Sequence, residues 1–280
     1  MSPSFDPWTV LRKPGPQQKC IPCTYGSLAS PEIRRWAAPL KHSWTLHRKL
    51  WEFMYICEVL HERGMLAPGK CGLGFAVGQE PLSALFATAG AHIVATDLHP
   101  ERLQQGGADW RNNDEHAESI ANLNKHGICP PEIMAERVQF RHVDMNDIPD
   151  DLTGFDFLWS SCSFEHLGSL ELGKKFIDNM CKCLKPGGVA VHTTELNVYS
   201  NDETIEDGWS VIFRRRDIEE MFARVYNHGG WMADRDYFLG DTYADLHVDK
   251  PPYKHFPHLK MELDGFVATS FGIIVEKRLD

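Results

Sequence analysis

The sequence has no long apolar run. Nowhere does it reach the ~18 consecutive apolar residues of a membrane-spanning helix, so no membrane span is expected. Basic residues are in short supply. Lys and Arg number 29 against 39 Asp and Glu, a net charge of −10. That excess of acid argues against a generic nucleic-acid binder, whose footprint is a basic face. The opening stretch, MSPSFDPWTVLRKPG, lacks the apolar core of a secretory leader, and the expected location is cytoplasmic. A disulfide framework is missing too. Of Cys20, Cys23, Cys57, Cys71, Cys129, Cys162, Cys181 and Cys183, several fall inside predicted strands and helices, as reduced thiols do. Cys20-x-x-Cys23 is half of a zinc site. Cys181 and Cys183, two apart on a predicted helix, point to different sides and do not supply the other half.

What is present begins with an ordinary globular composition, 42% hydrophobic over 280 residues, enough for one large domain with additions. The chain is organised around Lys70–Pro100, KCGLGFAVGQEPLSALFATAGAHIVATDLHP. A glycine-rich turn, Gly72 to Gly78, leads into a predicted helix from about Glu80 to Ala89. A short apolar strand follows from Ala91 to Thr96 and ends on Asp97. Glycines let the backbone turn sharply and let a ligand approach closely. The helix start offers unpaired N–H groups to an anion. An acid ending the second strand can accept both hydroxyls of a ribose. The order is that of a nucleotide-binding βαβ unit. The spacing Gly72-x-Gly74-xxx-Gly78 is not the GxGxxG of dinucleotide binding, and no Tyr-x-x-x-Lys pair follows the fourth predicted strand. An NAD-dependent oxidoreductase is therefore a lesser alternative.

Before this unit, residues 1 to about 30 are rich in Pro, Gly and Ser and read as an extended arm. A short helix is predicted over Pro31–Ala38. A longer one spans Ser43–Arg63, with Leu46, Leu50, Phe53, Cys57 and Leu60 forming an apolar stripe, Ser43 or Thr45 capping its start and Gly64 its end. After it, Val138–Val143 reads as a third strand, Phe155–Ser160 as a fourth, central one, Leu170–Leu184 as a helix, Val189–Thr194 as a fifth strand, Asp217–Arg224 as a helix and Ala268–Glu276 as the last strand. The stretch Trp231–Lys260, rich in aromatics, His and Asp, has no regular pattern.

The glycine turn resembles the first motif of the class I S-adenosylmethionine (SAM) methyltransferases, an acid followed by x-Gly-x-Gly-x-Gly. Gly72 stands where that family has Asp or Glu, and Ala76 where it has the middle glycine. The run FDFLWSSCSFEHL, then a helix, LKPGG and a strand, is similar to the second half of the same core, so the resemblance covers residues 66–197. It implies an α/β fold: a Rossmann-like, seven-stranded, mostly parallel sheet flanked by helices. Residues 1–65 would be an N-terminal arm and helical lid. Residues 66–280 would be the SAM-binding core, with a substrate insertion at about 200–265. It further implies that Gly72, Gly74, Phe75 and Gly78 line the cofactor, with Glu80 standing in for the missing acid. Asp97 and Leu98 would hold the ribose, Asp144 and Met145 would border the adenine, and Ser160 and Ser161 would end the fourth strand beside the cofactor.

Methyl transfer needs an aligned nucleophile and, for a hydroxyl, a proton acceptor. Glu165 and His166 follow strand four, His192 lies in strand five, and Glu195 and Asn197 end it. His166 is the candidate base, because its free pKa lies near neutrality. Glu165 and His192 also occur together in cyclopropane fatty acid synthases, a related activity held as an alternative. Glu195, Asn197 and His247 are the candidate acceptor contacts. The run from Asp241 through Asp245, His247, Asp249, His255 and His258 has metal-ligand residue types, but loops of this kind are usually solvated, and no metal is assigned. Arg214–Arg216 read as an exposed helix approach. The polar, aromatic, His-rich late segment suits a carbohydrate, so the expected activity is O-methylation of a sugar or glycan hydroxyl. A catalytically silent SAM-binding relative is the remaining alternative.

Overall fold

The computed structural model describes residues 19–103, 116–253 and 256–279. Its strands are β1 (Cys71–Gly74), β2 (His92–Asp97), β3 (Val138–His142), β4 (Phe155–Ser161), β5 (Leu184–Asn197), β6 (Gly230–Met232), β7 (Lys260–Leu263) and β8 (Phe266–Lys277). The helices are α1 (Tyr25–Ala29), α2 (Pro31–Arg34), α3 (Arg48–Glu62), α4 (Leu82–Thr88), α5 (Pro100–Leu103), α6 (Pro131–Arg137), α7 (Leu170–Met180), α8 (Arg215–Asn227) and α9 (Tyr243–Leu246).

One sheet runs in the order β3-β2-β1-β4-β5-β8-β6, with β7 paired to β8 off that path. The pairs from β3 to β5 are parallel; β8 is antiparallel to β5, β6 and β7. The path holds the seven, mostly parallel strands expected, and β7, which begins where the irregular late segment ends, is an eighth. β7 and β8 form a hairpin through Asp264 and Gly265, both with positive φ, as a tight turn requires. Strand order reverses between β1 and β4. That switch point opens a crevice at the carboxyl ends of the strands, where open α/β sheets bind ligands.

Central strands read as continuous apolar runs because both faces are covered. In β4 every residue but Asp156 is buried. α4 is buried from Leu82 to Ala87, its Phe86 ring edge-on to Phe157 and Trp159 of β4.

α3 departs most from its sequence pattern. A one-sided stripe was expected, yet every residue from Leu50 to Leu60 is buried. The preceding arm is bonded to it: Trp51 donates to Ser27 Oγ (2.8 Å) and the Tyr55 hydroxyl to the Lys19 carbonyl (2.7 Å). The inner side packs on β4, β5 and β8, where Gly272 makes room. A Cβ there would lie 2.2 Å from the Tyr55 ring. The helix starts at Arg48 rather than Ser43, with His47 Nδ1 accepting the Lys49 N–H as its cap. His47 is instead bridged to His258, through the Arg48 N–H to the His258 carbonyl and the His258 N–H to the Leu46 carbonyl. α7 stops at Met180, four residues short of expectation, because Leu184 already pairs with Phe155 as the first residue of β5.

The hydrophobic core is continuous across residue 65 and includes Cys20 and Cys23. Cys20 Sγ accepts the Ile274 N–H (3.3 Å) and points at the Ala233 carbonyl (3.5 Å). Burial pushes its pKa up to about 12. The CxxC pair is thus core packing at the sheet, and all eight cysteines are free thiols.

Candidate active site

The glycine turn is built by close approach. A Cβ on Gly74 would lie 2.3 Å from the Trp159 ring, and Ala76 and Gly78 have φ of 45° and 51°. Phe75 N–H bonds the Trp159 carbonyl and Val77 N–H bonds that of Thr96, at 2.9 and 3.0 Å, so the turn is pinned to β4 and β2. Gly72 sits against Phe157, whose ring would be 2.3 Å from an added Cβ. No acidic side chain fits there.

Asp97 ends β2 as expected. Its carboxylate accepts N–H groups from Gly78 (3.1 Å), Leu98 (2.8 Å) and Ala117 (3.0 Å), and His116 lies 3.9 Å away. Burial raises its pKa against the pull of these donors. The Leu98 carbonyl meets His116 Nε2 at 2.8 Å. Asp144, at the end of β3, pairs with Arg102 at 2.5 Å and accepts the Asn146 N–H, and Met145 beside it is buried. Glu80, just past the turn, has Lys49 at 3.9 Å, while its Oε2 is buried with no hydrogen-bond partner. Burial lifts its pKa to about 8.

Across the crevice, the ends of β4 and β5 meet the start of α3 in a buried polar cluster. Glu52 is its centre. One oxygen accepts from Ser270 (2.5 Å) and Arg48 (3.2 Å), the other from Ser161 Oγ (2.9 Å) and Lys49 (2.9 Å). Burial opposes its charge, but Lys49 and Arg48 outweigh burial and hold its pKa near 2. Arg48 also grips Glu195 at 2.6 Å. Lys49 reaches the carbonyl and hydroxyl of Ser161 at 3.3 and 3.4 Å. Ser160, the neighbouring residue, points the other way, to His192 Nδ1 at 2.8 Å.

Glu165 is fully buried. Its Oε2 accepts the Thr194 hydroxyl at 3.0 Å and its Oε1 has no partner. Burial raises its pKa to about 7, and burial likewise raises that of Glu195. Atoms of Cys162, Glu165 and Glu195 converge within 4.8 Å of one another. Cys162, at φ 46°, is turned inward there. Burial keeps its thiol protonated.

Of the residues singled out in the sequence, the structure brings together Glu80, Ser161, Glu165 and Glu195. His166 follows Glu165 but turns outward: its Nδ1 meets the Trp209 carbonyl at 2.8 Å and its ring stacks on the exposed Trp209 at 5.8 Å. His192 is not brought to the cluster. Three residues from Glu195 along one strand, it points to the opposite face. There it packs edge-on to Phe164 and Phe176, and burial drives its pKa down to about 3. Asn197 ties down the next loop, bonding Glu203, Thr204, Tyr199 and Ser200. His247 lies at the end of α9 beside Tyr243. In the same late segment, Asp245 caps α9 and accepts the Tyr25 N–H, and Asp249 pairs with His258. His255 lies outside the described residues.

Arg48, Lys49, Glu52 and Ser270 carry no recognisable motif. The signal for the first three was the charge itself: two cations and an acid at the head of an otherwise apolar helix, with Arg48 and Glu52 one turn apart.

Residues 73–192 match the family described as a methyltransferase domain. A demethylmenaquinone methyltransferase of Clavibacter sepedonicus is 28% identical over 120 residues, 43% of this chain and 39% of that protein. The chain therefore spans well under half the length of that relative. Among solved structures, a putative sarcosine dimethylglycine methyltransferase from Galdieria sulphuraria superposes with a TM-score of 0.53 at 15% identity, over 82% of this chain and 86% of the other. The [4+2]-cyclase SpnF superposes with a TM-score of 0.54 at 16% identity, over 91% and 94%. At these identities the likeness is one of fold.

Proposed function

We propose that this chain, whose residues 73–192 match a methyltransferase domain, is a class I SAM-dependent methyltransferase that methylates a hydroxyl of a small polar acceptor, a sugar or glycan, with Glu165 taking the proton. The observation that carries this reading is the Glu165 carboxyl: buried, held by Thr194 through one oxygen, unpartnered at the other, and shifted to about 7. A base with a pKa near the working pH combines a useful ionised fraction with proton affinity.

SAM supplies the activated methyl group. Gly74 lets the turn pack directly against Trp159 and Val77, and Asp97 ends β2 where a ribose would be held. Glu80, with its unpartnered buried oxygen, is suited to the amino group that the family's acid would meet, at a place where Phe157 excludes an acid on Gly72. Asp144 and Met145 border the adenine in this reading. The residues facing the reacting centre, Arg48, Lys49, Glu195, Ser161 and Ser270, are polar, which favours a sugar over an acyl chain. Exposed Trp209, backed by His166, offers a face for stacking a ring, and His166 acts by holding that face.

The test is Glu165→Gln. S-adenosylhomocysteine formation with responsive acceptors from a panel of nucleotide sugars and glycans should fall by about 10²-fold or more, with SAM affinity by calorimetry unchanged. In the wild type, the ionised carboxylate is the active form, so the rate should fall as pH drops below about 7. Full activity of the variant would remove Glu165 as the base.

A further inference from the structure

The buried cluster is short of positive charge. Among the described residues, the Lys and Arg side chains in salt-bridge reach of Glu52, Glu80, Glu165 and Glu195 are Arg48 and Lys49. Glu52 engages both cations, and Glu195 shares Arg48 through Oε1 alone. Glu165 has no cation in salt-bridge contact among the described residues. Glu165 Oε1 and Glu195 Oε2 have no hydrogen-bond partner, although the residues are 0% and 3% exposed. Carboxylate oxygens of the two lie within 4.8 Å of each other. Cys162 contributes no charge, its thiol being kept protonated by burial. His166, at the half-buried rim, favours the charged form of Glu195 while its Nδ1 meets the Trp209 carbonyl.

We propose that the acceptor is a vicinal amino alcohol, its ammonium held by Glu195 and its neighbouring hydroxyl presented to Glu165. This rests on the methyl-transfer reading above. The geometry suits it. Oxygen and nitrogen on adjacent carbons are roughly 3 Å apart, and each hydrogen bond adds about 2.8 Å, so such a ligand bridges two carboxylate oxygens less than 5 Å apart.

Charge selects the ammonium over a second hydroxyl. Glu165 and Glu195 share one salt-bridge cation, Arg48 on Glu195, and burial raises the pKa of both. An ammonium between them favours their ionised forms, whereas a neutral diol leaves the buried charge uncompensated, which is costly at low dielectric. In the reaction the S–CH3 bond breaks, an O–CH3 bond forms, and the hydroxyl proton passes to Glu165. The positive charge lost at sulfur is matched by the proton gained at Glu165, so the net charge of the site is unchanged by the step.

The experiment is calorimetric titration of the full chain at pH 8 in EDTA, saturated with S-adenosylhomocysteine. The probes are trans-2-aminocyclohexanol and trans-cyclohexane-1,2-diol. The amino alcohol should bind at least tenfold more tightly. Glu195→Gln should bring the two within about twofold, while Glu165→Gln keeps the preference. Equal affinities, no measurable binding of the amino alcohol, or a preference that survives in Glu195→Gln would overturn the proposal. Should that variant fail to fold, the N-acetylated amino alcohol takes its place, and binding as tight as that of the free amine overturns the proposal. Titration with S-adenosylhomocysteine alone reads the donor site. Failure there sinks the methyl-transfer reading, and the ammonium preference is then read on the cofactor-free protein.

Discussion

Gly72 shows how one residue can depart from a family pattern for a packing reason. The Phe157 ring occupies the place of its side chain, and Glu80 offers a carboxylate from the far side of the turn. Restoring the acid with Gly72→Asp should therefore not improve the site. Overpacking of this kind costs about 1–3 kcal/mol, read as a lower urea midpoint, with no gain in SAM affinity. Asp97 is the opposite case, a residue that ends β2 where the sequence placed it and is assigned the ribose in the proposed reading. Asp97→Ala should weaken SAM binding at least tenfold, ~1.4 kcal/mol, by calorimetry; the three N–H groups it now accepts would be left partly unpaired. Unchanged affinity would sink the cofactor assignment.

At the scale of the element, α3 does two things. Its body fills the space between the arm and the sheet, and its first turn delivers Arg48, Lys49 and Glu52 into the crevice. Glu52 joins the two roles, because it ties α3 to Ser161 of β4 and Ser270 of β8. Glu52→Ala removes the buried anion and leaves two cations without it. Breaking a buried pair from one side costs about 3–5 kcal/mol, and urea unfolding should show a loss of that size. A loss under about 1 kcal/mol, the range of exposed pairs, would mean that solvent reaches the cluster. The same helix shows why pattern reading stops short. Its apolar stripe was legible, but its polar residues are buried by two different partners, Glu52 by Ser161 and Ser270 of the sheet and Glu58 by Arg35 and Trp36 of the arm, which carries no periodicity of its own.

For the whole molecule, buried titratable groups tie stability to pH. Glu165 binds its proton more tightly folded than unfolded, with a pKa of about 7 against 4.5. Its contribution is therefore fully present below about pH 4.5 and lost as pH rises through 7. Glutamine does not titrate. The melting temperature of Glu165→Gln relative to wild type should thus rise between pH 5 and pH 8 in calorimetric scans. His192, held neutral with a pKa of about 3, has the opposite sign. Its contribution is present above about 6.5 and lost as pH falls, and it cancels in the difference because both proteins carry it. A difference that stays flat with pH would show that Glu165 titrates normally in the fold.

The βαβ order, the strands β2 to β5 and β8 and the acid at Asp97 were legible in the sequence. These depend on short-range order: glycines where backbones must approach, apolar runs where a strand is covered on both faces, an acid at a strand end. Which polar groups share the crevice was settled by how the elements dock. Glu165 and Glu195 come from different elements, and Arg48 and Glu52 from a helix far earlier in the chain; their meeting depends on strand order and helix docking, which leave no local trace. The tertiary structure also separated two histidines that looked alike in the sequence. His166 is carried to the rim by a short turn after β4, whereas His192, by the alternation of β5, faces the aromatic core.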